Sequence, residues 1–312
     1  MPTRREFMVS GSIVLSAQTV ARVLPGAQLV AKPPTIGLGF SLYGMKSLAV
    51  TKAIDICADI GYDCIELPVQ NGWPADSLSL SEAPEKIRDK LASSEVRLFA
   101  LMENLHAAVD DPRHQSNLLR LEAAGKLGHQ LSPEKPPIIE TILGGRPADW
   151  DKIKMQMAKR LQDWAKVAMA TRSVIGIKAH VGGAMHLPEH PVWLMNQVNS
   201  PWIKCAYDYS HFELREVDMA DSVKTLVPHS VFIHVKDSRG DASKVQFLLP
   251  GDGGIEYVKL LKLIAKAGYR GDIVVEVSGQ IHGRPGYDPV AAAKRCYTNL
   301  APAFEKAGIL RG

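Results

Sequence analysis

Between Thr35 and Lys306, short apolar or β-branched runs alternate with longer segments, and the alternation occurs eight times. The runs are Ile36 to Leu42, Cys64 to Leu67, Val96 to Leu101, Pro137 to Thr141, Val174 to Lys178, Ile203 to Asp208, Val231 to Val235 and Asp272 to Val277. Helical patterns fall at about 48–60, 82–93, 113–127, 149–170, 217–226, 255–267 and 288–306. In the first, Val50, Ala53, Ile54, Cys57 and Ala58 share a face, and Gly61-Tyr62 stops the helix. In the longest, Ile153, Met157, Leu161, Trp164 and Ala168 recur at spacings of three and four. Eight strands, each followed by a helix or a segment of helical length, predict an α/β chain folded as a single (β/α)8 TIM barrel. A doubly wound open sheet competes, but no Gly-rich phosphate turn follows the first run.

Composition narrows the function classes. With 46% hydrophobic and 22% charged residues the chain is globular rather than disordered. Its net charge of +4 is spread without a basic stripe, so no nucleic-acid partner is expected. Cys57, Cys64, Cys205 and Cys296 are too few and too scattered for a disulfide framework or a paired-cysteine zinc site.

The amino terminus reads as an address. Thr3-Arg4-Arg5-Glu6-Phe7-Met8 precedes a mostly apolar stretch from Met8 to Ala21, about 14 residues and short of the roughly 20 that span a bilayer. The layout is similar to a twin-arginine export signal, Ser/Thr-Arg-Arg-x-Phe-Leu, with Met8 in the last place. The competing reading is a frayed amphipathic tail with a chance arginine pair. The expected organisation is residues 1–31 as export signal and linker and 32–312 as barrel, in a periplasmic or other extracytoplasmic protein. No Cys follows the apolar run, so no stable membrane anchor is expected.

In barrels of this kind the active site forms where strands end and the following loops begin. Several runs finish on a side chain able to bind a metal: Glu140, His180, Asp208, His234 and Glu276. Alternation along a strand puts Lys204, Ala206 and Asp208 on one face, likewise Phe232, His234 and Lys236, and Val274, Glu276 and Ser278. A carboxylate or imidazole in an apolar strand is expensive to bury unpaired. Four of them at one mouth make an oxygen and nitrogen shell for one divalent ion. Each residue alone is equally a salt-bridged or capping Glu, or a hydrogen-bonded core His; that plain reading explains poorly the same event on four strands.

These residues sit in wider motifs: Ile139-Glu140, Tyr207-Asp208-Tyr209-Ser210-His211, Phe232-Ile233-His234-Val235-Lys236-Asp237, Pro250-Gly251-Asp252-Gly253-Gly254-Ile255-Glu256-Tyr257, and Gly268-Tyr269-Arg270-Gly271 leading to Val275-Glu276. With them, residues 36–300 resemble the xylose-isomerase-like superfamily, which includes sugar-phosphate isomerases/epimerases and ketose 3-epimerases. The resemblance implies that Glu140, Asp208, His234 and Glu276 ligate one Mn²⁺, Co²⁺, Mg²⁺ or Zn²⁺. It also implies that Glu140 and Glu276 move a proton beside the carbonyl of a sugar or ketosugar through an enediolate. A homodimer is common among such barrels. Where relatives often carry Glu-Asn-His on strand five, this chain has Lys178-Ala179-His180. Lys178, sharing a face with His180, is open to three roles: binding a carboxylate, polarising a keto oxygen, or pairing with Glu140. His211, Lys236, Asp237 and Arg239 are substrate-contact candidates or loop residues. His106 and Glu66 are further candidates, and Trp73 suits a sugar platform, a core position or a lid.

Rival functions share this scaffold. A 3-keto-glycoside lyase begins with the same proton abstraction and then expels the C1 substituent; export favours it, because phosphorylated sugars are cytoplasmic. An abasic-site endonuclease needs an Asp-x-His after strand seven, and Lys236 to Lys244 contains no His. A non-catalytic carbohydrate-binding barrel would carry a broken ligand set. The expectation is a metal-dependent sugar isomerase or epimerase acting on a non-phosphorylated sugar.

Overall fold

A computed structural model describes residues 34–79 and 83–312. The export signal and the boundary expected around residue 31 lie outside the described residues.

Seven parallel strands come first: β1 (Leu38–Ser41), β2 (Cys64–Pro68), β3 (Arg97–Met102), β4 (Ile138–Ile142), β5 (Ile175–Lys178), β6 (Ile203–Asp208) and β7 (Ser230–Val235). A short antiparallel hairpin of β8 (Asp237–Arg239) and β9 (Gln246–Leu248) follows, and β10 (Ile273–Val275) pairs with both β7 and β1 to close an eight-stranded parallel barrel. The expected barrel is therefore present. Helices α1 (Val50–Ile60), α2 (Pro84–Ala92), α3 (Asp111–Leu131), α4 (Trp150–Thr171), α5 (Glu189–Val198), α6 (Tyr209–Glu213), α7 (Met219–Leu226), α8 (Tyr257–Lys266), α9 (Gly279–His282) and α10 (Pro289–Lys306) occupy the connections. Helix α5 and the β8–β9 hairpin were not legible as periodic segments. The pattern at 217–226 resolves into α7 alone, with α6 a separate turn directly after β6.

Local chemistry sets the boundaries. Gly61 ends α1 at φ 98°, a left-handed cap that a residue with a Cβ adopts only at a cost. Asp110, Asp218 and Asp288 cap α3, α7 and α10 by accepting from first-turn N–H groups.

Two apolar layers result. The larger lies between barrel and helices and includes Trp164, Leu161, Ile54, Leu260 and Phe304. The smaller fills the barrel interior with Cys64, Phe99, Ala100, Ala206, Phe232 and Val274, flanked by Ile138. Phe99 and Phe232 stack there with ring centroids 5.7 Å apart. Gly39 belongs to this layer because a Cβ would stand 2.5 Å from Cys64 Sγ. Below it, Asp272 accepts from Gly37 N and pairs with Arg97, bridging β1, β3 and β10.

This interior plug is a floor, because a side chain two residues further along the same strand points inward one layer higher. Phe232→Ala should therefore cost about 3–5 kcal/mol of stability in denaturant unfolding. A loss below about 1 kcal/mol would show that the floor does not carry the barrel.

Candidate active site

Two residues beyond the floor positions on β2, β4, β6, β7 and β10 stand Glu66 above Cys64, Glu140 above Ile138, Asp208 above Ala206, His234 above Phe232 and Glu276 above Val274. The four carboxylates come from β2, β4, β6 and the end of β10, every second strand around the ring. That is the alternate-strand layering of a (β/α)8 interior, here occupied by acids instead of aliphatics. Glu140 and Glu276 face each other from diametrically opposed strands, as do Glu66 and Asp208. Glu66, Glu140, Asp208 and His234 are buried.

Strands β5 and β7 send in the countercharges. Lys178 Nζ lies 3.1 Å from Glu276 Oε2 and 2.8 Å from His234 Nδ1. It is also 2.9 Å from Glu140 Oε1, a charge contact whose angle does not make a hydrogen bond. Lys236 Nζ donates to Asp208 Oδ2 and to Glu276 Oε2 at 2.9 Å, and stands 3.3 Å from His211 Nε2. His234 Nε2 meets Glu66 Oε2 at 2.9 Å, and its Nδ1 is 3.2 Å from Glu276 Oε2. Of the three roles open to Lys178, the contact with Glu140 is present, and Glu276 shares it.

The layer separates the proton affinities of its members. Burial pushes Glu140 above the usual carboxylate range, offset only in part by Lys178 and His234. Burial works the same way on Glu276, but Lys178, Lys236 and His234 outweigh it and hold that carboxyl well below the usual range. Burial opposes the charge on His234, yet Glu66 and Glu276 carry the imidazole up to about 9. Lys178, surrounded by Glu140, Glu276, Asp208 and Glu66, keeps its proton despite burial.

The donors fit a divalent cation. Glu66, Glu140 and His234 place three ligand atoms within 4.8 Å of one another, and so do Asp208, His234 and Glu276. Glu66 Oε1 and both oxygens of Glu140 are buried without a hydrogen-bond partner, a state that a bound cation would relieve. The four expected ligands thus form no single ring; His234 joins two groups of three.

Other expected residues separate at the rim. His180 and His211 come together with ring centroids 4.3 Å apart. His106 is exposed outside the layer, its ring against Gly144 and its carbonyl accepting from Asn117. Arg239, at the end of β8, is likewise exposed and reaches the carbonyl of Asp252. Asp237 is buried and accepts from Gly251 N, Gly253 N, Ile255 N and the Tyr257 hydroxyl, so it organises the glycine-rich loop.

Trp73, a candidate in the sequence, belongs to an aromatic wall whose other members the sequence does not single out. Tyr43 stacks on Trp73 at 4.7 Å, His282 meets Tyr43 edge-on at 4.7 Å, and Lys46 Nζ sits 4.6 Å from the Trp73 ring. These residues come from the loops after β1, β2 and β10, which no single motif spans. The Trp73 loop is held by Arg120, which donates to Val69 O, Asp76 Oδ1 and Glu103.

A profile of the xylose isomerase-like TIM barrel family matches residues 54–298. The rhizopine catabolism protein MocC of Rhizobium meliloti is 34% identical over 109 residues, 28% of this chain and 32% of that protein. The L-ribulose-5-phosphate 3-epimerase UlaE of Escherichia coli (strain ATCC 8739) is 23% identical over 181 residues, 54% of this chain and 58% of that enzyme. The chain thus spans between a third and three-fifths of the length of these curated relatives. The crystal structure of IolI protein with a zinc atom superposes with a TM-score of 0.74 at 16% identity, covering 87% of this chain and 99% of that one. At that identity the likeness is one of fold.

The loop after β5 is stapled to this rim by imidazoles acting as acceptors. Val181 N donates to His211 Nδ1, Gly182 N to His180 Nδ1, and His186 N and Leu187 N to His190 Nδ1. Burial lowers all three histidines, taking His180 and His190 to about 4; Lys236 and Lys178 add to the effect at His180. Folded, each binds its proton less readily than unfolded. Their contribution is therefore full above about 6.5 and drains as pH falls towards 4. Unfolding midpoints should drop across that window, and less steeply in His190→Asn, which keeps an acceptor without a titrating group. An equal slope in the variant would show that His190 plays no part.

Proposed function

The chain belongs to the xylose isomerase-like TIM barrel family, and on that premise we propose that it is a sugar epimerase that inverts the carbon beside the carbonyl of a sugar or ketosugar. The observation that carries this reading is the pair Glu140 and Glu276, on opposed strands and with proton affinities displaced in opposite directions. Such a pair is the arrangement of a base and an acid addressing two faces of one carbon.

Glu276, held ionised, takes the proton from the carbon next to the carbonyl, and the electron pair moves onto the carbonyl oxygen. Lys178 and Lys236, both against Glu276, hold that carboxyl ionised for this step. Glu140, with its proton, returns one from the opposite face and re-forms the carbonyl with the carbon inverted. A divalent ion bound among these carboxylates and His234 would polarise the carbonyl and the adjacent hydroxyl of the substrate. Tyr43, Trp73 and His282 offer an aromatic wall for a sugar face.

A free sugar or ketosugar suits the site better than a sugar phosphate. Both buried lysines are engaged by carboxylates, and Arg239 is turned to a loop carbonyl. Export through residues 1–31, if it operates as their sequence pattern proposes, would present the protein with such substrates. Elimination from a 3-keto-glycoside shares the first step and is separated from epimerisation by its products.

Incubated with ketohexoses and 3-keto-glycosides in D₂O, the protein should place solvent deuterium at the inverted carbon. Loss of the C1 substituent instead would assign the lyase. Glu276→Gln should lower turnover on the order of 10²–10⁴-fold. Glu140→Gln should still exchange the substrate proton but yield little inverted product. Activity of Glu276→Gln within a few-fold of wild type would remove its role as base.

A further inference from the structure

Among the described residues, two buried imidazole nitrogens have no hydrogen-bond partner, His114 Nδ1 and His282 Nε2. His114 belongs to α3 and faces α4, its other nitrogen 3.2 Å from Asp163. His282 ends α9, directly after β10, and stands on the aromatic wall, with ring centroids 4.7 Å from Tyr43 and 6.0 Å from Trp73. The rim histidines His180, His190 and His211 spend Nδ1 on backbone N–H groups, whereas His282 Nε2 is left open. A buried polar atom without a partner is costly until something polar meets it.

The position of His282 is fixed by its neighbours. Ser278 caps α9 by accepting from Gln280 N at 3.2 Å. Gln280 joins α9 to the hairpin, accepting from Phe247 N and donating to Val245 O. Beyond α9 the Tyr287 hydroxyl donates to Gly44 O at 2.9 Å, which ties this loop to the one carrying Tyr43. The Tyr43 hydroxyl and His282 Nε2 border one small gap. A Cβ built on Gly279 would stand 3.6 Å from that hydroxyl and 3.7 Å from that nitrogen, ordinary contact for a further heavy atom.

The chemistry of the gap selects its occupant. Burial lowers His282 and raises Tyr43, so both are neutral at about pH 7, and the charge of Glu276 bears on both. An imidazole nitrogen donates or accepts according to tautomer, and a phenol does both. A hydroxyl group, itself donor and acceptor, pairs with either state. A phosphate or carboxylate would also face the negative Glu276.

Resting on the sugar reading of this site, we propose that His282 Nε2 and the Tyr43 hydroxyl together bind one hydroxyl group of the substrate. His282 is then a substrate-contact residue, and the wall reads an uncharged sugar as well as packing against it. It sets a preference for the sugar bearing that hydroxyl over its deoxy analogue.

The test is steady-state kinetics of the full chain, wild type and His282→Phe, on the ketohexose or 3-keto-glycoside it turns over and on the monodeoxy analogues of that sugar. Phenylalanine keeps a ring against Tyr43 and removes both nitrogens. KM should rise about 10-fold, as for one uncharged hydrogen bond, with kcat within about 3-fold. On one monodeoxy sugar, already poor for the wild type, the two proteins should agree within about 3-fold, because the same contact is missing from both. A KM within about 3-fold of wild type on the parent sugar would overturn the contact and leave an epimerase in place. An equal loss on every analogue would overturn it too, since altered packing alone produces that pattern. A folded wild type that turns over no sugar would remove the sugar reading and this contact with it. Should His282→Phe fail to fold, Gly279→Ala decides, since its methyl enters the gap at ordinary contact distance. A KM raised about 10-fold there supports the contact, and an unchanged KM overturns it.

Discussion

Placing four carboxylates in one layer of a barrel interior is the constraint to which the rest of this structure answers. An isolated buried carboxylate is unsustainable in an apolar core. Here Glu66, Glu140, Asp208 and Glu276 arrive on alternate strands, and Lys178 and Lys236 enter from β5 and β7 to meet them. The aliphatic and aromatic floor beneath, with Phe99 stacked on Phe232, closes the layer from below. Low polarity there strengthens every charge contact above it, and raises the cost of the Glu66 and Glu140 oxygens that accept no hydrogen bond.

The same arrangement makes the layer chemically asymmetric. Both glutamates of the opposed pair are buried, so burial alone would raise both. They part because Lys178 and Lys236 converge on Glu276, whereas Glu140 receives one lysine at an unfavourable angle. Acid and base roles thus follow from where two ammonium groups can reach, not from the glutamates themselves. The rim is built by separate devices: Arg120 braces the Trp73 loop, Asp237 gathers the glycine-rich loop, and neutral histidines hold the loop after β5.

Much of this was legible because a strand leaves a two-residue period in the sequence. That period puts Asp208 over Ala206, His234 over Phe232 and Glu276 over Val274, and it brings Lys178 and Lys236 to the same faces. It fails past the strand end, where a chain can turn in any direction. His106 lies in such a stretch and Arg239 in the hairpin strand β8 beyond the end of β7, and both are exposed. Helix α5 escaped notice because Pro191 falls in its first turn after a Gly-Gly loop, where the sequence reads as irregular. The β8–β9 hairpin has three-residue strands, too short to show a period.

The sequence alone determined that this chain closes an eight-stranded parallel barrel and that acids and an imidazole stand at the strand ends, because apolar period and strand–helix alternation are local properties. Only the tertiary structure decided which of those groups meet. Barrel closure sets β4 against β10 and β2 against β6, and it is this distance across the ring that opposes Glu140 to Glu276. Nor does any local pattern reveal how two lysines divide the acids, Lys178 lying between Glu140 and Glu276 and Lys236 joining Asp208 to Glu276. That division depends on how far a four-carbon side chain reaches across a closed ring, which no run of residues records.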